Sequence, residues 1–332
     1  MNLDFDKKRL VKKKGDYAFG EVIHLADPSL HAKAQDYKRT LGGKMRAVSA
    51  QDVSRINAGR GYVATRKYDG EFCLIFFDGE KLISVNPGGT VRMNLPAFDE
   101  CERLLKAAKV KSCILGGEIY LQAENYKGLR IHQVVSVLRN PKTEDDMKKL
   151  GLAIFDVVEA DGHPPKNLAE TYKLLDKWFA KGKLVHSVEH VATKKTDDIL
   201  ELLADWVIDK GSEGIVLQHD AANWYKIKLR HSLDVAIIGY SEGSDERKGL
   251  LHDLLVAVMR NDGTFHELTR VGGGFTDEER KTIALDLKMS VVPSDYVAVN
   301  NDYVAYEMIK PGPVIEMSCL DLITESSRGG PI

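Results

Sequence analysis

Lys67-Tyr68-Asp69-Gly70 sets a lysine between two apolar runs, Tyr62-Val63-Ala64-Thr65 before it and Phe72-Cys73-Leu74-Ile75-Phe76-Phe77 after it. The pattern predicts strand, turn and strand, which would hold the amine at a rigid elbow. A lysine becomes a nucleophile when it sheds a proton, and burial beside other cations is the expected way of lowering its pKa. Trp224-Tyr225-Lys226-Ile227-Lys228 supplies two such cations, because strand alternation turns Lys226 and Lys228 to one face. Together they would depress a third amine and hold phosphate oxygens. A single K-x-D-G is more often surface decoration, so the case rests on the company these lysines keep.

That company is acidic and regularly placed. Between Lys67 and Lys226 lie Gly116-Gly117-Glu118-Ile119-Tyr120, Ala153-Ile154-Phe155-Asp156-Val157-Val158 and Ser212-Glu213-Gly214-Ile215-Val216-Leu217. Each reads as an apolar strand carrying an acid, and such strands do not bury isolated carboxylates cheaply. Singly, Glu118 or Glu213 is as well explained by a strand-end salt bridge. Together they form a set.

In this order the segments resemble the signature of the covalent nucleotidyltransferases, the family of ATP-dependent DNA ligases, RNA ligases and mRNA capping enzymes. The resemblance implies that Lys67 carries AMP and that Phe155 stacks on the base. It implies contacts to ATP from Thr65, Arg66, Lys67, Glu118, Phe155, Glu213, Lys226 and Lys228, with catalysis by Lys67, Lys226 and Lys228. It implies Mg²⁺ or Mn²⁺ held by Asp69, Glu118 and Glu213. Within the family, AIFDVVEADG (153–162), WYKIK (224–228), LDVAIIGY (233–240) and VGGGFT (271–276) look most like DNA ligases.

Some positions depart from that pattern. Phe72 and Val85 stand where DNA ligases usually carry arginine, Thr65 where an acid is common, and Thr171 where another arginine follows the aromatic strand. Arg66, Arg92 and Arg139 are the replacements suggested by position. A surface role for each is the competing reading.

The 332 residues exceed one ordinary core, and the resemblance implies an α+β chain of two domains. An adenylation domain with an ATP-grasp-like antiparallel sheet is expected over 1–231, followed by an OB-fold β-barrel over 232–332. Helical spacing is visible in Phe98-Cys101-Leu104-Leu105, in Leu168-Leu174-Leu175-Trp178-Phe179, and from Thr196 through Trp206-Val207. Trp178 and Trp206 lie on apolar stripes and read as core. Beyond Arg230, short β runs at Val235–Ile238, Leu254–Met259, Tyr296–Val299 and Val314–Met317 surround one helix opened by the capping box Thr276-Asp277-Glu278-Glu279.

The net charge of −2 does not exclude nucleic acid, since binding needs local rather than global basicity. Lys7-Lys8-Arg9 and Lys12-Lys13-Lys14 make the amino terminus basic, and a solvated tail is the expected state. No apolar run approaches a membrane span, and the start lacks the core of a secretory signal. Cys73, Cys101, Cys113 and Cys319 show no C-x-x-C spacing and read as free thiols. A cytoplasmic monomer is expected, or a nuclear one in a eukaryote.

The resemblance implies a partner, nicked duplex DNA or a duplex containing RNA, and a setting in replication or repair. Sealing would run through a lysyl-AMP and an adenylated 5′-phosphate. ATP rather than NAD⁺ is expected because nothing resembles the nicotinamide-recognising module. The residues before Lys67 are too few for a large helical DNA-binding domain, which suggests a minimal ligase, and Arg328 is the candidate start of a last basic motif. The alternatives are an RNA ligase or RNA repair enzyme, a capping guanylyltransferase, and a nucleic-acid-binding relative without turnover.

Overall fold

The structure is a computed structural model and describes residues 1–122, 131–300, 302–319 and 322. Arg328 lies outside the described residues. The described chain divides into two compact units, one within residues 1–229 and the other within residues 230–322.

Along the first unit run β1 (Val11–Lys12), β2 (Ala18–Glu21), α1 (Ser29–Lys44), β3 (Met45–Ser49), β4 (Tyr62–Lys67), β5 (Glu71–Phe77), β6 (Leu82–Val85), β7 (Thr90–Met93), α2 (Pro96–Ala107) and β8 (Cys113–Leu121). Then come α3 (Ile131–Arg139), α4 (Glu144–Lys148), β9 (Leu150–Ala160), α5 (Leu168–Phe179), β10 (Val185–Ser187), β11 (His190–Thr193), α6 (Thr196–Leu202), β12 (Gly214–Gln218) and β13 (Trp224–Lys228). They form an eight-stranded sheet ordered β1-β2-β7-β6-β5-β8-β9-β10 and a five-stranded sheet ordered β11-β4-β12-β13-β3. The class is α+β. The sheets are not purely antiparallel as expected, because β10 runs parallel to β9 and β13 parallel to β3.

β5 is buried on both faces, which is why its sequence is a continuous apolar run rather than an alternating one. Cys73, Ile75 and Phe77 enter a core shared with α2, α5 and with Val216 and Trp224 of the other sheet. Leu74 and Phe76 enter a second core with Leu30 and Ala34 of α1. Trp178 and Trp206 are buried core residues, as their stripes predict. The helix from Thr196 gives way to a π-helical turn over Leu203–Asp209.

The amino-terminal basic segment is folded rather than a tail. β1 pairs with β2, Leu3 and Tyr17 are buried, and Asp6 caps a short 3₁₀ turn over Lys7–Arg9. The long helix α1 escaped the sequence pattern. Its buried residues are only Leu30, Ala34 and Leu41, too sparse a stripe to reveal sixteen helical residues that run through Gly42-Gly43 to Lys44.

The second unit holds β14 (His231–Glu242), β15 (Leu251–Met259), β16 (Phe265–Val271), α7 (Asp277–Lys288), β17 (Glu307–Met308) and β18 (Val314–Cys319). The strands form an antiparallel sheet ordered β16-β15-β14-β17, with β18 also on β14. α7 opens on the predicted capping box. Tyr296–Val299 is not a strand and makes only an isolated bridge between Val299 and Ala305. The Gly272-Gly273-Gly274 stretch is tied down by Arg280, whose guanidinium donates to the carbonyls of Gly272, Leu251 and His252.

Candidate active site

Register gathers the lysines. β4 and β12 pair antiparallel with Gly214 opposite Lys67 and Val216 opposite Thr65, and β13 places Lys226 opposite Val216. Alternation then sends Thr65, Lys67, Lys226 and Lys228 to one face. A Cβ on Gly214 would lie 2.2 Å from the carbonyl oxygen of Ile227, so glycine alone permits this approach of β12 to β13. Gly70 works similarly on the other side. A Cβ there would lie 2.2 Å from the carbonyl oxygen of Ile119 and 2.9 Å from Glu118 Cγ, so the turn after Lys67 rests directly on β8.

The backbone N–H of Glu213 donates to the carbonyl of Lys67 at 3.1 Å. Its carboxylate accepts from Lys67 Nζ on one oxygen and from Lys228 Nζ on the other. Burial alone would push the Lys67 amine down, but Glu118 and Glu213 outweigh it and hold its pKa above the ordinary lysine value. The expectation that neighbouring cations keep Lys67 neutral is therefore corrected for the ligand-free site. Glu213 stands between the lysines and neutralises both. Burial opposes the charge of Glu213, and the two lysines hold its carboxyl below the usual range.

Glu118 projects from β8 into the same cleft. Burial, with Glu213 and Asp69 adding negative potential, pushes its carboxyl up to about 7 against the pull of Lys67 and Lys38. A cleft that disfavours its own carboxylate in this way suits an incoming cation. Mg²⁺ asks for one or two carboxylates beside substrate phosphates, so the oxygen donors present fit it. Among the described residues no cluster of three or more His, Cys, Asp or Glu side chains is gathered to hold a metal. Asp69, Glu118 and Glu213 thus do not form the three-carboxylate set expected from sequence. Both oxygens of Glu213 are taken by lysines, and Asp69 acts on Glu118 and Lys67 through its field.

Phe155 reaches the cleft by a β-bulge. Ile154 pairs with Gly117 and Asp156 with Gly116, so Phe155 is the extra residue of β9 and its ring is re-aimed. Its centre lies 6.2 Å from that of Phe72, which stacks on Tyr37 at 6.0 Å. Tyr37 donates to Asp156 at 2.7 Å and fixes this corner to α1. The resulting cleft, about 270 Å³, is lined by Lys67, Glu118, Phe155, Thr65, Lys226 and Lys228, among others.

Several predicted contacts are spent elsewhere. Thr65 is buried and its hydroxyl donates to the carbonyl of Val216 at 3.2 Å. Arg66 borders the cleft, yet its guanidinium binds Ser212 and, at 2.7 Å, Glu189. Arg92 forms a buried two-pronged pair with Glu71 at 2.9 and 2.7 Å and also donates to Tyr17. Arg139 is exposed at the end of α3. Sequence reasoning missed Lys38, which α1 brings to the cleft, and Tyr37, which α1 stacks on Phe72 of its lining. The signal that would have found them is a helix whose polar face, not its apolar stripe, is functional.

Residues 44–233 match the model of the ATP dependent DNA ligase domain. The chain is 27% identical to DNA ligase 1 of Methanosarcina mazei over 76% of its own length and 49% of that protein. It is 25% identical to DNA ligase 1 of Methanosarcina barkeri over 97% of its own length and 65% of that protein. The chain therefore spans about half to two thirds of the length of these relatives. A solved structure titled "Pmar-Lig_PreS3" superposes with a TM-score of 0.57 at 18% identity, covering 85% of this chain and 70% of that one, and shares the fold. The matched segment holds Lys67, Glu118, Phe155, Glu213, Lys226 and Lys228, and the chain belongs to the ATP-dependent DNA ligase domain family.

Proposed function

We propose that the protein is an ATP-dependent DNA ligase that seals nicks in duplex DNA through a lysyl-AMP. The observation that carries this reading is the convergence of Lys67, Glu118, Phe155, Lys226 and Lys228 on one cleft of about 270 Å³.

In the first step the lone pair of neutral Lys67 Nζ attacks the α-phosphorus of ATP, the bond to the β-phosphate oxygen breaks, and pyrophosphate leaves. Lys226 lines the cleft and stabilises charge on the phosphate oxygens, as does Lys228 once it exchanges Glu213 for substrate. Phe155 stacks on the adenine. Thr65 and Arg66 shape the base side of the site through their bonds to Val216, Ser212 and Glu189. Glu118, in the field of Glu213 and Asp69, would hold Mg²⁺ or Mn²⁺ together with substrate phosphate oxygens, and the bound ion would neutralise phosphate charge and favour loss of the Lys67 proton.

A phosphate oxygen at the 5′ side of the nick then attacks the AMP phosphorus, and the P–N bond to Lys67 breaks with return of a proton to the amine. The adjacent 3′-hydroxyl attacks the 5′-phosphorus, AMP leaves, and the strand is closed. The second unit is read as an OB-type barrel that contacts the duplex, and residues 1–231 and 232–332 as the two domains of a monomer. Incubation with a singly nicked, 5′-labelled duplex and ATP tests the reading. Conversion to full-length strand supports it, and none at any ATP or Mg²⁺ concentration contradicts it.

A further inference from the structure

Lys38 lines the same cleft as Lys67, Glu118 and Lys226, although it comes from α1, before the residues that match the family model. Its Nζ stands 4.4 Å from the centre of the Phe72 ring. Among the described residues no carboxylate lies within ion-pair distance of it, whereas Lys67 and Lys228 share Glu213. A cation whose nearest partner is an aromatic face, with no carboxylate in direct contact, is held weakly. An anion entering the cleft can therefore take it.

We propose that Lys38 is a phosphate-binding residue of this cleft, resting on the Phe72 ring until a phosphoryl oxygen accepts its ammonium. Phe72 explains the arrangement. Its ring cannot bind an anion, but stacked on Tyr37 it is fixed, and its face stores a cation beside Lys67. Tyr37 and Lys38 are consecutive on α1, so the bond from Tyr37 to Asp156 anchors the backbone that aims Lys38. The environment agrees with the geometry. Burial pushes the Lys38 amine down, Glu118 draws it up, and Lys67 and Lys226 push it down again. A phosphate would relieve both the burial and the crowding of like charge.

The inference rests on the ligase reading for its ligand, which has two sources: the polyphosphate of ATP and the 5′-phosphate of a nick. Single-turnover rates of Lys38→Ala and Lys38→Arg separate them. One arm follows self-adenylylation against ATP concentration. The other follows sealing of 5′-phosphate nicks by enzyme already adenylylated. Loss of roughly tenfold or more in the first arm assigns ATP, and loss confined to the second assigns the nick, that size being the scale of one charge-assisted hydrogen bond. Lys38→Arg should recover most of the loss, and Lys33→Ala, exposed on the same helix, should show none. Unchanged rates in both arms, with unchanged melting temperature, overturn the proposal and leave the ligase reading intact. If the wild type takes no label from ATP, the ligase reading falls. Calorimetric titration with inorganic pyrophosphate then decides Lys38 alone: weaker binding by Lys38→Ala supports it, and equal binding or none to either protein overturns it.

Discussion

Glu213 and Lys67 are joined twice, backbone N–H to carbonyl at 3.1 Å and side-chain carboxylate to ammonium. The nucleophile candidate is thus stored protonated by a neighbour one strand away. Activation must break that pair, and the site is poised to do so because Lys228 holds the second oxygen of the same carboxylate.

Removing the Glu213 charge should lower the pKa of Lys67, since Glu213 is one of the carboxylates that raise it. Glu213→Gln is expected to speed modification of Lys67 by an amine-directed acylating reagent at pH 8 in the absence of ATP, by several-fold. Peptide mapping reads the site. A slower or unchanged rate at Lys67 would contradict the clamp.

Glu118 sets a pH dependence of stability. Its folded pKa of about 7 lies above its ordinary value of 4.5, so the folded state binds the extra proton between those values. Stability from this group falls as pH rises through that window. Glu118→Gln removes the ionisable group. The variant should melt higher than wild type at pH 8 and much closer to it at pH 5. An equal difference at both pH values contradicts the account.

Gly214→Ala should loosen the active strands. The added Cβ meets the Ile227 carbonyl at 2.2 Å, so β12 and β13 must part, at a cost of about 1–3 kcal/mol by the scale of overpacked sites. Urea denaturation measures it. Self-adenylylation should fall with it, because Lys228 hangs on the displaced strand.

Arg92 is a structural residue rather than a substitute for the arginines absent at Phe72 and Val85. Its side chain is 6% exposed and that of Glu71 12%, and breaking such a pair costs about 3–5 kcal/mol. Arg92→Met should lose stability of that order, and the addition of Glu71→Gln should restore part of it. The apparent affinity for ATP should not change in the folded fraction.

The site was legible where one strand carries both pattern and chemistry. Lys67, Glu118, Phe155, Glu213, Lys226 and Lys228 could each be read from an apolar run, and the register of β4, β12 and β13 then had to bring four of them together. What could not be read is pairing between remote side chains. That Glu213 would neutralise Lys67, or that Arg66 and Arg92 would be consumed by Glu189 and Glu71, depends on distances between side chains of different elements, which a pattern along one strand does not show. α1 was illegible for a different reason, its sparse apolar stripe, and with it Tyr37 and Lys38. Tyr296–Val299 shows the converse, a β-branched and aromatic run left without a partner strand.

The measurement that bears most directly on the central claim is Mg²⁺-dependent transfer of label from α-labelled ATP to wild-type and Lys67→Ala protein, with GTP and NAD⁺ alongside. The account predicts label on the wild type from ATP alone, stable to denaturation, released by pyrophosphate, and absent from Lys67→Ala. Label that persists in Lys67→Ala, or that comes from GTP or NAD⁺ instead, would contradict it.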